Sequence, residues 1–311
     1  MTEKTGEVKE FYQGYHDRIF DKRYNSPFWL RRYTHRQIHA QILAYVKPGQ
    51  RVLDVGCGEG ILSCLAAQKG AKHIELRQTC LGECEVGSGP DWRPNMSQLQ
   101  QVVDTYPDMT FDLAMALPVL SQKIDPQGEM FQAALAGAKL VGGSQPHLRV
   151  VDPVSFDTAW NSSNDIPEEA LGLAELTTEA ANQGVIISME NSQLPIRSMA
   201  MLVEKVRSMV TETAGKGLGL CPDPTNQLRR YPESDPLSEL DDLPLDMIKI
   251  VHFKQLRRGE TYSSVDEGDL DCLRMRDILD AKGYSGPAIM EIPSDTEVFD
   301  NLESSFQYLD S

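Results

Sequence analysis

The run GVIISMEN, Gly184 to Asn191, opens on glycine, continues through apolar and β-branched residues, and stops at a carboxylate and an amide. A short apolar run bounded in this way reads as a buried strand whose carboxyl end faces solvent. Three later segments end alike: GLGLCPDPTN (Gly217 to Asn226) reaches Asp223, MIKIVHFK (Met247 to Lys254) carries His252, and GPAIMEIP (Gly286 to Pro293) carries Glu291. In a parallel barrel every strand delivers its carboxyl end to one face. Glu190, Asp223, His252 and Glu291, distant in sequence, would therefore converge.

The size of the chain fits that architecture. Its 311 residues, 41% of them hydrophobic, suffice for one α/β barrel plus an extension. A formal net charge of -16, from 46 acidic against 30 basic residues, repels nucleic acid. The densest basic cluster, Arg18 to Arg36, is broken by Asp21 and aromatic residues and reads as a solvated helix face. No apolar run approaches the roughly 20 residues of a membrane span, and MTEKTGEVKEFY lacks an apolar signal core, so a cytoplasmic location and no membrane partner are expected. Six scattered cysteines give neither a disulfide framework nor a zinc site, and whether the chain forms a homo-oligomer is left open.

Residues 1 to 50 carry aromatic, Arg and Leu/Ile residues at helical spacing, with breaks at Pro27 and Pro48, and are expected to form a helical extension. Arg51 to Lys72 then reads as a strand, a glycine-rich turn and a helix. Gly56, Gly58 and Gly60 leave that turn without side chains, and the helix amino terminus offers unpaired N–H groups to an anion. Candidate strands begin near Val52, His73, Asp112, His147, Val185, Leu218, Met247 and Ala288, with helix-patterned segments between most of them. The acidic, proline-rich stretch from Gln227 to Pro244 reads as a loop with a short helix over the barrel mouth, either a lid or a solvated connector.

Two family resemblances follow. Residues from about Phe11 to Gly70, most sharply VLDVGCGEG, resemble the opening of a class I S-adenosylmethionine-dependent methyltransferase. That resemblance implies a cofactor loop at Asp54, Gly56, Gly58 and Gly60. The ribose-binding acid such enzymes carry at the next strand end has Glu75 as its candidate here, with Arg77 and Gln78 following. FDLAMALPVL, Phe111 to Leu120, is readable as a fourth methyltransferase strand. From Lys72 to about Leu309 the motifs GAKHIELR, PHLRVVDP, GVIISMEN, GLCPDPTN, IKIVHFK and GDLDCLRMRDILDAKGYSGPAIMEIP resemble the xylose isomerase-like barrels that include sugar-phosphate isomerases, ketose epimerases and inosose dehydratases. The expected fold is an α/β (β/α)8 TIM barrel over 51–311, with 51–72 as its first unit. Two positions depart from the pattern of these barrels: Asn226 stands where sugar epimerases often have histidine, and Gln255 stands where an acid is common.

Three carboxylates and one imidazole make a hard, mostly oxygen site that suits Mg²⁺, Mn²⁺ or Co²⁺ and could accept Zn²⁺. An ion there would chelate vicinal oxygens of an open-chain sugar or polyol and ease proton removal beside its carbonyl. The resemblance implies that Glu190 and Glu291 also serve as the acid/base pair, through an enediolate. Glu75, Arg77, Arg149, Asn226, Lys254 and Arg258 are the candidate substrate contacts, the cations suiting an acidic or phosphorylated sugar. Six histidines are too few for a trinuclear zinc endonuclease of the same superfamily. The rival readings are a methyltransferase using the glycine loop, and a catalytically silent barrel that binds a sugar or a protein partner.

Overall fold

The computed structural model describes residues 73–77, 80–81 and 93–311, apart from 108, 153 and 293–297. The helical extension, the glycine turn and the candidate strand near Val52 lie outside the described residues. Five strands form a parallel sheet in chain order: β1 (His73–Leu76), β2 (Thr110–Ala116), β3 (His147–Val151), β4 (Ile186–Glu190) and β5 (Leu218–Cys221). A second parallel pair joins β6 (Val251–Phe253) to β7 (Ala288–Met290). A parallel bridge from Leu220 to Ile248 ties the approach to β6 onto β5, so these seven strands follow one another in sequence order. Gly219 permits that join: a Cβ there would stand 2.4 Å from the Met247 carbonyl oxygen.

Neighbouring strands are separated by helices, the repeat that keeps a parallel sheet covered. These include α1 (Met96–Thr105), α2 (Glu129–Val141), α3 (Leu173–Asn182), α4 (Ile196–Arg207), α5 (Glu212–Lys216), α6 (Pro224–Arg230), α7 (Pro236–Asp242), α8 (Cys272–Ala281) and α9 (Val298–Leu309). Side chains alternate along a strand, and here the alternation separates two environments. Ile74, Leu76, Phe111, Leu113, Met115, Leu148, Val150, Ile187, Met189, Leu218 and Leu220 join the hydrophobic cluster that also takes in the helices. The intervening positions carry Glu75, Asp112, Arg149, Ser188 and Glu190, all buried. The barrel therefore has an apolar core outside its sheet and a polar, ion-paired filling within.

Two expectations need correction. The sixth described strand starts at Val251 rather than near Met247, because Leu245–Met247 is a 3₁₀ turn and Ile248 enters the sheet only through its single bridge. The stretch beyond Asn226 is not a loop with one short helix, since α6 and α7 occupy most of it. Both begin with the same device, an aspartate cap followed by proline: Asp223 accepts from the Asn226 N–H and Asp235 from the Ser238 N–H. Proline suits the first helical position, where its missing N–H is not needed and its φ is already helical. The repeated Asp-Pro in the sequence was the available signal.

Candidate metal centre

Glu190 is the last residue of β4, Asp223 caps α6 just after β5, His252 is central in β6, and Glu291 follows β7. One donor atom from each lies within 4.8 Å of the others. His252 Nδ1 stands 2.8 Å from Glu291 Oε2 and 3.8 Å from both Glu190 Oε1 and Asp223 Oδ2. Asp223 Oδ2, Glu291 Oε2 and His252 Nδ1 are all buried without an aligned hydrogen-bond partner. Buried polar atoms are normally satisfied, and here the Asp223 and Glu291 oxygens lie 2.7 Å from Lys254 Nζ, so the point on which they converge with His252 Nδ1 is one suited to a cation. Two acidic oxygens, a third carboxylate and an imidazole nitrogen fit a hard divalent cation.

A second layer of residues orients these four. Arg149, fully buried on β3, forms a short ion pair with Glu75 through Nη2, donates from Nε to Glu75 Oε2 at 3.0 Å, and from Nη1 to Glu190 Oε2 at 2.6 Å. With Oε2 so held, Glu190 turns Oε1 toward the cluster, where the Asn226 amide donates to it at 2.9 Å. Glu75 Oε2 lies 3.4 Å from His252 Nε2. A carboxylate placed to receive Nε2–H leaves Nδ1 as the nitrogen that would offer its lone pair to a metal once the imidazole is neutral, as in carboxylate, histidine and metal arrangements generally. Asn191 clamps the Asp223 backbone, accepting from its N–H at 2.6 Å and donating to its carbonyl at 3.0 Å. Sequence reasoning noted the amide after Glu190 but gave it no role.

Charge and burial oppose each other throughout the cluster. Burial alone would push the Glu75, Glu190 and Glu291 carboxyls up; Arg149 next to the first two, and Lys254 with His252 next to Glu291, hold all three below the ordinary range. Asp223 is the exception, its burial outweighing the nearby Lys254 and raising it. Burial pushes the Cys221 thiol to about 12, so it is neutral at ordinary pH. Burial would lower the His252 imidazole, but the Glu75 and Glu190 carboxylates beside it raise it well above its usual value.

Among the expected substrate contacts, the structure separates the buried from the accessible. Glu75 and Arg149 are 1% and 0% exposed and satisfy each other beneath the cluster, which makes them supports and leaves no face for a substrate. Asn226 is buried against Glu190. Arg77 is half-buried just beyond β1. Arg258 is exposed, with a positive φ of 56°, in the turn of the hairpin Leu256–Arg257 and Glu260–Thr261. Lys254 is the cation among these that reaches the centre, with Nζ 2.7 Å from Asp223 Oδ2, 2.7 Å from Glu291 Oε2 and 3.5 Å from Glu190 Oε1. Asp54, Gly56, Gly58 and Gly60 lie outside the described residues.

A model of the xylose isomerase-like TIM barrel family matches residues 129–311, more than half of the chain. The chain belongs to the xylose isomerase-like TIM barrels. Solved structures agree on the fold of this family. A xylose isomerase domain protein from Planctomyces limnophilus is similar with TM-score 0.56 and 16% identity, covering 84% of this chain and 94% of its own. The IOLI protein, crystallised with a binding zinc atom, gives TM-score 0.54 and 17% identity over 80% and 88%. A D-allulose 3-epimerase from Methylomonas sp., crystallised with D-allulose, gives TM-score 0.53 and 15% identity over 85% and 87%.

The amino-terminal part of this barrel protein has other relatives. The family of methionine biosynthesis protein MetW matches residues 36–136, a span that runs past Gly70 and through β2 into α2. Ribosomal protein L11 methyltransferase of Lachnospira eligens is 58% identical over 40 residues, 13% of this chain and 13% of that protein. The chain thus spans about an eighth of the curated methyltransferase it matches. Within the described residues of the span 36–136, Thr110–Ala116 pairs with β1 and β3 and so belongs to the barrel sheet.

Proposed function

We propose that the chain is a divalent-metal-dependent isomerase or epimerase of a sugar, sugar phosphate or polyol, acting by proton abstraction next to a carbonyl. One observation carries the reading: three carboxylates and an imidazole from successive strand ends bring one donor atom each within 4.8 Å of the others in a largely buried cluster. The zinc in the IOLI protein and the D-allulose bound to the Methylomonas epimerase support the same reading. Mn²⁺, Mg²⁺, Co²⁺ or Zn²⁺ held by Glu190, Asp223, His252 and Glu291 would supply Lewis-acid polarisation of the substrate carbonyl.

The two glutamates differ in what holds them. Glu190 is locked through Oε2 by Arg149 and through Oε1 by Asn226. Glu291 has a side chain 16% exposed and meets His252 and the flexible Lys254 through Oε2, so it is the group able to reach a substrate C–H from the open side. In this scheme Glu291 takes the proton and Glu190 returns one on the other face of the enediolate. Lys254, on the same side as His252, stands where an oxyanion or acidic substituent would need a counter-charge. Arg77 and Arg258 are outer contacts for a phosphate.

The test is deuterium incorporation from D₂O beside the carbonyl of ketoses, by NMR, with Mn²⁺ present. The parent protein is expected to exchange. Glu291→Gln and Glu190→Gln should each lose about 10²- to 10⁴-fold, the usual contribution of a positioned acid or base. Full exchange in either variant overturns the proposed pair. A second reading, S-adenosylmethionine binding at Asp54, Gly56, Gly58 and Gly60, is favoured by the MetW match. Calorimetric titration with the nucleoside decides it: binding that disappears in Gly58→Val supports this reading, and no binding rejects it.

A further inference from the structure

Lys254 touches the same atoms that define the candidate metal centre. The three carboxylate oxygens around His252 Nδ1 are Glu190 Oε1, Asp223 Oδ2 and Glu291 Oε2. The oxygens around Lys254 Nζ are those three again, each of them closer to the ammonium than to the imidazole nitrogen. Lys254 lies two residues beyond His252 on the same strand direction, so both side chains point inward. Among the described residues its ammonium has no other carboxylate: every ion pair it makes there is with this trio.

The charges of the cluster give a reason for this placement. Glu75, Glu190, Asp223 and Glu291 face Arg149 and Lys254, and Arg149 is committed to Glu75 and Glu190. Without Lys254 the trio at the strand ends would hold buried negative charge with only half of Arg149 and His252 to offset it. Buried like charges at this spacing repel strongly in a medium far less polar than water. An ammonium and a divalent ion drawing on the same three oxygens would face the same repulsion from each other. The open side is available to the lysine, whose side chain is 14% exposed on a flexible four-carbon stem.

We propose that the Lys254 ammonium is a tethered counter-ion that occupies the centre when no metal is bound, and that a divalent cation displaces it toward the barrel mouth. The inference rests on the metal-dependent reading above. It makes Lys254 a device that keeps the empty site assembled and sets a threshold for metal uptake. Once displaced, the ammonium is presented to the anionic part of a bound substrate.

Two measurements test it. In calorimetric titration of metal-stripped protein, Lys254→Met should bind Mn²⁺ at least about tenfold more tightly than the parent, because no resident cation has to leave. In chelator the same variant should melt lower than the parent, and in saturating Mn²⁺ that gap should close. Lys254→Arg, which keeps a cation on the strand, should not gain affinity. Equal or weaker Mn²⁺ binding by Lys254→Met, with binding intact in the parent, overturns the counter-ion while leaving the metal reading in place. No Mn²⁺ binding by parent or variant overturns both. The parent alone gives a check that does not depend on a variant's folding: acylation of Lys254 by an amine-reactive reagent, followed by mass spectrometry, should rise when Mn²⁺ is added. Continued protection of Lys254 at saturating Mn²⁺ overturns the displacement.

Discussion

Asp223 serves two structures with its two oxygens. Oδ1 caps α6 by accepting from the Asn226 N–H at 2.8 Å, and Oδ2 faces the cluster 2.7 Å from Lys254. The two roles are separable by substitution. Asp223→Asn retains an oxygen able to cap the helix but exchanges the charged donor for an amide, whereas Asp223→Ala loses both. Both variants should lose Mn²⁺ affinity by well over tenfold in titration. Denaturant unfolding in chelator should place Asp223→Ala about 1 kcal/mol below Asp223→Asn, the usual cost of a lost cap. Equal stability would mean that the cap contributes nothing at this site. The aspartate alone, seen in sequence, could not be assigned to one role, because the Asp-Pro cap signal and the ligand signal fall on the same residue.

At the scale of elements, Gln255 shows what an amide does at a position where the family resemblance leads one to expect an acid. It follows Lys254, is 1% exposed, and lies at the root of the segment 256–270. Its Nε2 donates to the carbonyls of Asp266 at 2.6 Å and Leu270 at 2.9 Å, while Oε1 accepts from the N–H groups of Leu256 and Leu270. An ionised acid cannot donate to those two carbonyls, so the amide is required for this loop conformation. Gly268 is equally constrained: a Cβ there would stand 2.3 Å from Gln255 Cδ and 2.4 Å from the Leu256 carbonyl oxygen. Gln255→Ala strands several buried backbone groups and should cost about 1 to 3 kcal/mol. Hydrogen exchange should quicken across residues 256–270 and leave β3 and β4 unchanged; unaltered exchange in the segment would sink the claim.

For the whole molecule, the polar filling makes stability depend on pH in two opposed ways. Glu75, Glu190 and Glu291 have depressed folded values, so their stabilisation is present above the unfolded carboxyl range of about 4.3 and is lost as pH falls through the folded values. Asp223, which is raised, offsets part of this. His252 is raised, so its contribution is full below the unfolded value of about 6.5 and is lost as pH climbs through the folded value. Metal-stripped protein should therefore melt highest between about pH 4.5 and 6.5 and fall off on both sides. Metal needs the neutral imidazole, so the increase in melting temperature caused by Mn²⁺ should widen from pH 5.5 to 8. At a hundredfold excess over the dissociation constant it corresponds to about 2.7 kcal/mol. A constant increment across that range would exclude His252 as a ligand.

In the sequence by itself, apolar runs with glycine before and a charged residue after, separated by helix-patterned segments, marked the strands of an α/β fold from Lys72 onward, and the resemblance to xylose isomerase-like barrels made that fold a parallel barrel. The sequence also determined the set Glu190, Asp223, His252 and Glu291, because strand ends in a parallel barrel share one face whatever the intervening loops do. Only the tertiary structure decided what surrounds that set. Whether Arg149 contacts a substrate or braces Glu190, and whether Lys254 lies at the mouth or at the centre, depends on which neighbours close within 3 Å. Those distances follow from strand register: Arg149 is level with Ser188, one layer below Glu190, and Glu75 is level with Asp112. Periodicity tells which side of a strand a residue takes, whereas the height at which two inward side chains meet depends on the register between strands.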